Sequence, residues 1–360
     1  MAPPLDVCIR GAGIVGRTLA LLLARERLRV GLVDTVAPAA DDTSDVRAYA
    51  LNTTSKELLE LLRAWPDEHH ATPVAAMQVH GDDGGEVTFD AIAQGAPALA
   101  WIVDVAALQA RLAEALRYQP LVEMLRAPRG AALTVVCEGK ASATRAEYGV
   151  QFELTTYPQK AIAARVHCEK PHGRIARQWF NNGEILAFLP LGGAGAGDAG
   201  NSAAVVWSVR EERAAGLLEL AAPEFAAQLE QASGQALGKL VLDSQRACWP
   251  LQLARASRWC GPGWALAGDA AHTVHPLAGQ GLNLGLADAR ELSRVLRERE
   301  YWRGVGSEKL LRRYERSRKA DVLAMGAATD GLQQLFAQQA GPWTLLRNWG
   351  MKGFERSGPL

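Results

Sequence analysis

The sequence predicts an α/β fold, with a Rossmann-like dinucleotide-binding domain interleaved with an antiparallel-sheet domain and followed by C-terminal helices. Three observations predict it. An apolar run over 5–9 leads into Gly11-Ala12-Gly13-Ile14-Val15-Gly16. A second apolar run, 264–267, opens into Gly268-Asp269 and a Gly-rich stretch that ends in a helical pattern at Ala289. Between them, residues from about 148 to 207 alternate with the two-residue period of strands.

Residues 5–9 read as a buried strand. The glycines Gly11, Gly13 and Gly16, with Ile14 and Val15 between the last two, supply a tight turn, a close approach of a pyrophosphate to main chain, and helix–strand packing. A helix over 18–25 and a strand over 28–33 complete a βαβ unit, and Asp34 at the strand end can accept from a ribose 2′-hydroxyl. An acid there disfavours a 2′-phosphate, so the bound dinucleotide is expected to be FAD or NAD and not NADP. Arg10, a charge directly before the first glycine, has no explanation at this level.

Further along, a helix is expected over 55–63, with Thr54 and Glu57 spaced as a capping box. Residues 74–80 and 86–89 flank the turn 81–85 as a hairpin, and a helix follows over 105–117. The middle sheet turns at 171–173, 181–183 and 192–200, after which two helices and two strands lead to Pro250. In the second motif, the spacing Leu282, Leu286, Ala289, Leu292, Leu296 is helical. That places Gly279, Gln280, Gly281, Leu282 and Asn283 at a helix N-terminus, with free N–H groups and the positive dipole end. Asp269, after Gly268, offers a charged acceptor to a sugar-like hydroxyl, while Pro276 and the 279–281 turn let a planar ring approach main chain. These N–H groups suit the negative pyrimidine edge of a reduced flavin. A last helix is expected from 307 to about 339. The organisation expected is a discontinuous FAD-binding domain (1–70, 101–147, 255–300), a substrate domain (71–100, 148–254) and a C-terminal helical region (301–360).

Composition agrees. The 360 residues are 48% apolar, enough for a large core, and the net charge of zero offers no field for nucleic acid. Five cysteines without a CxxC pair read as reduced and structural, with no metal site. Neither a signal peptide nor a bilayer-spanning apolar run is present, so the expectation is a cytoplasmic protein. The stretch 341–352 mixes apolar and basic residues and has two readings, an interfacial helix that would touch the inner membrane or a terminal helix packed on the core.

Together the two dinucleotide motifs, the segment Asp45-Val46-Arg47-Ala48-Tyr49-Ala50-Leu51-Asn52 and the run YERSRKADVLAMGAATDGLQQLF from Tyr314 to Phe336 resemble the ubiquinone-biosynthesis hydroxylases. These are a branch of the FAD-dependent aromatic monooxygenases of para-hydroxybenzoate-hydroxylase type, and the resemblance covers nearly the whole chain. It implies an enzyme of ubiquinone biosynthesis in which NAD(P)H reduces FAD and O₂ is used to hydroxylate the ring of a polyprenylated phenol or quinol. It implies a peripheral membrane or quinone-biosynthesis-complex contact as well. Position by position, it puts Gly11, Gly13, Gly16 and Asp34 around the ADP half of FAD and Asp269 at the ribityl chain. It puts Pro276, Gly279, Gln280, Gly281, Leu282 and Asn283 beside the isoalloxazine ring.

The same resemblance places Arg47 near the cofactor and Gln109 at the pyrophosphate. On the residues alone, Arg47 could equally be a surface arginine paired with Asp45, and Gln109 an exposed helix residue. His275, Pro276 and Gln280 are the candidate catalytic positions. His272 and His275 flank the loop, and each is either a proton relay for a phenol or a structural hydrogen-bonding residue. Otherwise the cofactor carries the chemistry, while the protein positions the ring and excludes water.

Two departures from the family pattern stand out. Glu138-Gly139 replaces the Asp-Gly of a third motif that continues through Ser142 to Arg145, and the stretch 119–132 is too short for about two strands. The short stretch motivates an alternative, a catalytically weak FAD-binding paralogue serving as scaffold in a quinone-making complex. An FAD-linked reductase is the other. A flavin halogenase is disfavoured because no Trp-x-Trp-x-Ile-Pro run exists.

Overall fold

The computed structural model describes residues 4–34, 45–81, 84–192, 200–273 and 280–337, with side chains to 323 and without that of residue 280. The chain opens with β1 (Leu5–Arg10), α1 (Ile14–Arg25) and β2 (Val30–Val33). Next come β3 (Ala48–Leu51), α2 (Thr53–Leu61), β4 (Ala71–Val74), β5 (Ala76–His80), β6 (Glu86–Asp90), β7 (Ala100–Asp104) and α3 (Val105–Arg117). Two short strands, β8 (Val122–Leu125) and β9 (Ala131–Val136), precede α4 (Ala143–Glu147). The middle comprises β10 (Phe152–Cys168), β11 (Ile175–Asn181), β12 (Glu184–Leu191), β13 (Ser202–Arg210), α5 (Glu211–Glu219), α6 (Ala222–Ala232), β14 (Leu240–Leu242) and β15 (Ala247–Ala256). The chain returns through β16 (Cys260–Gly261), β17 (Trp264–Leu266) and β18 (His272–Thr273) to α7 (Gln280–Arg297) and α8 (Glu308–Ala337).

Six strands form the first sheet in the order β16-β17-β9-β1-β2-β8, parallel except at the β16 edge. Helices cover both faces of such a sheet, which is why its strands read as continuous apolar runs. The register pairs Arg10 with Val136 and Leu266 with Val136, so β1, β9 and β17 end at one level. Three segments far apart in sequence therefore release their loops at the same edge. Only residues 126–130 separate β8 from β9. The short stretch thus contains the edge strand β8 and leads directly into β9 of the same sheet.

The second sheet has nine strands, in the order β18-β15-β10-β13-β12-β11-β5-β6, with β14 added beside β10. It was expected to be antiparallel, and all its pairs are except β11–β5, where the hairpin β5–β6 docks in parallel. The whole excursion from β7 to β10 lies between these two strands, giving the chain the crossover that a parallel pair requires. A three-stranded antiparallel sheet, β3-β7-β4, completes the β structure. The main core fills the space between the first sheet and α1, α3, α7 and α8, and a second core lies between the nine-stranded sheet and α5 and α6.

One local expectation fails. Helix α2 begins at Thr53 and is capped by Asn52, whose side chain accepts from Ser55 N–H at 2.8 Å, so Thr54 and Glu57 form no capping box. Asn52 is held extended by its own N–H bond to the Asn283 side chain, which fixes the helix start two residues earlier. The five cysteines are free, and among the described residues no cluster could hold a metal and no helix is long and apolar enough to cross a membrane.

Candidate cofactor site

At the end of β1 the chain turns on Gly11, whose φ of +109° is one that L side chains rarely adopt. A Cβ on Gly11 would collide with the Cys137 carbonyl, and one on Gly16 with the carbonyl of Gly11 itself. Gly13 faces open space and is the N-cap of α1, with no side chain satisfying the first-turn N–H groups. A bare helix N-terminus above a glycine cradle is what a pyrophosphate requires, so these residues fit a dinucleotide. Ile14 is buried in the core. Asp34 lies half-buried past the end of β2, its N–H bonded to Leu125. Gln109 is half-buried on α3, and its carbonyl accepts from Arg17 of α1 at 3.0 Å.

Val15 is where the two motifs meet. A Cβ on Gly285 of α7 would come 2.7 Å from a Val15 methyl, and one on Gly268 would come 3.3 Å from the same methyl. The first turn of α1, the turn at Gly268 and the second turn of α7 are therefore in close contact. Gly268 has φ of +63°. Asp269 follows, half-buried, and no hydrogen bond engages its carboxylate among the described residues. Burial pushes that carboxyl above the usual aspartate value; Lys140, His272 and Arg47 pull it back only in part.

Arg47 does pair with Asp45, with Nε 2.8 Å from Oδ1. It also reaches Tyr49, whose phenol is pushed up by burial and by the Asp269 charge. Asp45, Arg47, Tyr49 and Asp269 thus form one cluster. Tyr49 was missed in the sequence, although the strand period puts residues 47 and 49 on one face.

Across the gap, Leu282 is buried, Gly281 has open space beside it, and Asn283 has a structural task. Its Oδ1 accepts from Asn52 N–H at 3.1 Å and Ser55 Oγ at 2.7 Å, and its Nδ2 donates to Ala50 O at 2.8 Å. Its side chain is thus committed to Asn52, Ser55 and Ala50. Gln280 is the first residue of α7. His275, Pro276 and Gly279, and the side chain of Gln280, lie outside the described residues, as does 341–352.

His272 is buried with one ring nitrogen engaged, while its Nδ1 has no hydrogen-bond partner among the described residues. Its Nε2 lies 2.6 Å from Asp288, which also accepts from Gly268 N–H at 2.9 Å and from Arg318 Nε at 2.7 Å. The ring stacks on Trp259, with centroids 4.8 Å apart. Burial alone would push Asp288 up, but the His272 and Arg318 charges hold it below the usual aspartate value. Arg318 belongs to the YERSRK run, and so do two further anchors. Tyr314 donates to Leu266 O at 2.8 Å, and Glu315 accepts from Trp259 N–H at 2.8 Å. The run fastens α8 to the strand and turn that carry Asp269. Asp288 could have been noticed as an acid three residues from Gly285 and four from Leu292, on the buried face of an apolar helix.

Loop 137–147 lies between the motifs. Glu138 accepts from Ser142 Oγ and Thr144 Oγ1, both at 2.7 Å, and from Arg10 Nε at 3.0 Å. Buried Arg145 donates to Ala270 O at 3.1 Å and to Lys140 O at 2.9 Å, and stacks on Phe152. A polar cavity of about 790 Å³ between β11–β13 and helices α5 and α6 shares no lining residue with these motifs and belongs elsewhere. From Asp269 the chain enters β18, which pairs with β15 at the edge of the second sheet, then returns at Gln280 beside α1.

Comparison with known proteins gives the family and the fold. Residues 130–328 match a family described as an FAD binding domain. The chain is 32% identical to the ubiquinone hydroxylase UbiL of Rhodospirillum rubrum, over 99% of this chain and 87% of that protein. It is 31% identical to the 3-demethoxyubiquinol 3-hydroxylase of Escherichia coli, over 99% of this chain and 96% of that protein. Among solved structures, the p-nitrophenol 4-monooxygenase PnpA of Pseudomonas putida superposes with a TM-score of 0.77 at 19% identity, covering 99% of this chain and 95% of PnpA, a likeness of fold.

Proposed function

Because this chain belongs to the ubiquinone-biosynthesis hydroxylases, FAD-dependent aromatic monooxygenases, we propose that it hydroxylates the ring of a polyprenyl phenol or quinol on the route to ubiquinone, with NAD(P)H and O₂ as co-substrates. The observation that carries the reading is the meeting of the two motifs at Val15, which makes one cradle from glycines some 250 residues apart in sequence. When bound, FAD supplies the redox chemistry: it accepts electrons from NAD(P)H and activates O₂.

In this reading Gly11, Gly13, Ile14, Val15 and Gly16 hold the pyrophosphate at the start of α1, and Asp34 accepts from the adenosine ribose. Gly268 turns the chain so that the unengaged Asp269 carboxylate accepts from the ribityl hydroxyls, with Arg47 close to it. Gln109 flanks the pyrophosphate. Pro276, Gly279, Gln280, Gly281, Leu282 and Asn283 line the isoalloxazine edge, and the α7 dipole favours negative charge there. Substrate lies between residues 275–283 and the second sheet, so that His275, Pro276 and Gln280 border the reacting ring. His272 is oriented by its bond to Asp288 through Nε2. The first sheet serves the cofactor and the second the substrate.

Purified protein should carry an oxidised-flavin visible spectrum, and ¹⁸O₂ should label the product's new hydroxyl. A colourless protein that cannot be reconstituted with FAD, or a product without label, overturns the reading. Expression in strains lacking each ring hydroxylase identifies the carbon attacked.

A further inference from the structure

Arg10 stands at the carboxyl end of a central strand, where a charge in a parallel sheet is costly unless paired. Its side chain is 21% exposed and meets two carboxylates: Nε lies 3.0 Å from Glu138 Oε1, and Nη1 lies 3.1 Å from Glu147 Oε2. The main chain is tied at the same point, since Cys137 N–H donates to Arg10 O at 2.7 Å. Gly11, the next residue, begins the pyrophosphate turn and has no room for a Cβ beside the Cys137 carbonyl.

Glu138 joins this arginine to the other motif. One of its oxygens takes Arg10 Nε and Thr144 Oγ1, and the other takes Ser142 Oγ. Ser142 in turn caps α4 through Arg145 N–H, and the Arg145 guanidinium holds the carbonyl of Ala270, the residue after Asp269. A continuous polar chain therefore runs from Arg10 to Ala270. Thr144 is fully buried, and Ser142 and Arg145 are nearly so. An aspartate at 138 would be one methylene shorter and could not keep the two hydroxyls of 142 and 144 while also reaching Arg10. The two residues that look anomalous in the sequence are partners.

We infer that Arg10 is a positioning residue for FAD: with Glu138 it forms a clasp that sets the glycine turn at 11–16 and the Gly268–Ala270 turn at the spacing one dinucleotide spans. The inference rests on FAD binding at these motifs. Arg10 acts through Glu138 and Gly11, and its charge is balanced by the two carboxylates.

The test is FAD titration of apoprotein, followed by flavin fluorescence, beside thermal unfolding of the same apoprotein and the visible circular dichroism of the reconstituted holoprotein. Arg10→Met is expected to weaken FAD about tenfold and to change the flavin dichroism, with Arg10→Lys restoring most of the affinity. Glu138→Asp should weaken FAD in the same way, and the Arg10→Met/Glu138→Asp double variant should be no worse than Arg10→Met alone, because one clasp can be opened only once. Should Arg10→Met fail to fold, the Glu138→Asp and Arg10→Lys arms decide. An apoprotein with lowered unfolding temperature but unaltered FAD affinity overturns the clasp and leaves FAD binding intact, as do effects that multiply in the double variant. Wild-type apoprotein that takes up no FAD overturns the cofactor site and the clasp together.

Discussion

His272 Nε2 and Asp288 Oδ2 lie 2.6 Å apart, and neither side chain is more than 2% exposed. Asp288 is on α7, His272 is in the strand after the Asp269 turn, and Arg318 of α8 closes the ionic group from the other side. Two helices and the cofactor turn thus share one buried carboxylate.

Asp288→Asn should take from Arg318 its buried carboxylate and leave only the exposed Asp321, costing about 3 kcal/mol of unfolding free energy, the low end for a broken buried pair. Arg318→Met should cost a similar amount, and the pair of substitutions less than their sum. The folded protein holds Asp288 below the usual aspartate value. Its contribution is therefore complete above the unfolded aspartate range and is lost as pH falls through the lower folded value. Urea unfolding across acid pH should show wild type losing stability with a component that Asp288→Asn lacks.

Glycine substitutions should separate folding from binding. A Cβ at Gly16 or Gly11 meets backbone, so Gly16→Ala and Gly11→Ala should both destabilise the apoprotein and abolish FAD uptake. Gly13→Ala adds a methyl to open space at an ordinary φ of −73°. Its apoprotein should melt like wild type yet bind FAD at least about tenfold more weakly, because the methyl occupies the space that the pyrophosphate needs.

Asp269→Asn should show the opposite sign from Asp288→Asn. Burial raises the Asp269 carboxyl in the folded state. A group of that kind favours folding at pH below its unfolded value, and the benefit is lost as pH rises through the folded one. At neutral pH the Asn apoprotein should therefore be at least as stable as wild type, with the difference shrinking as acid protonates Asp269. FAD affinity should fall by the worth of a charged hydrogen bond, about 1.5–3 kcal/mol. Unfolding and flavin titration over the same pH series check both halves.

Asn283→Ala deletes the side chain that receives Asn52 N–H and Ser55 Oγ and donates to Ala50 O. About 1–3 kcal/mol should be lost for the groups left unsatisfied. The loss should be seen in apoprotein unfolding, because the bonds tie α7 to the start of α2 independently of a ligand.

Both motif sequences and the helices at 105–117 and 280–297 were legible because each depends on neighbours in sequence: a glycine where φ or approach demands it, an apolar stripe at helical spacing. The start of α2 was not. Thr54 and Glu57 satisfy the local capping rule, yet Asn52 caps the helix because Asn283, 231 positions away, holds it extended. The parallel β11–β5 pair was equally hidden, since strand alternation reports which face is buried and not which neighbour a strand takes.

By itself, the sequence pointed to an FAD-binding fold with two Gly-rich turns and an alternating-strand sheet beside them, because those signals are local and periodic. Only the tertiary structure decided what the charged residues do. Arg10 finds Glu138, Asp288 finds His272 and Arg318, and Arg47 joins Tyr49 and Asp269, all through strands and helices that meet far from their places in the chain. A buried charge is tolerated only beside its partner, and which partner that is depends on the order of strands in the sheet, a property no stretch of sequence carries alone.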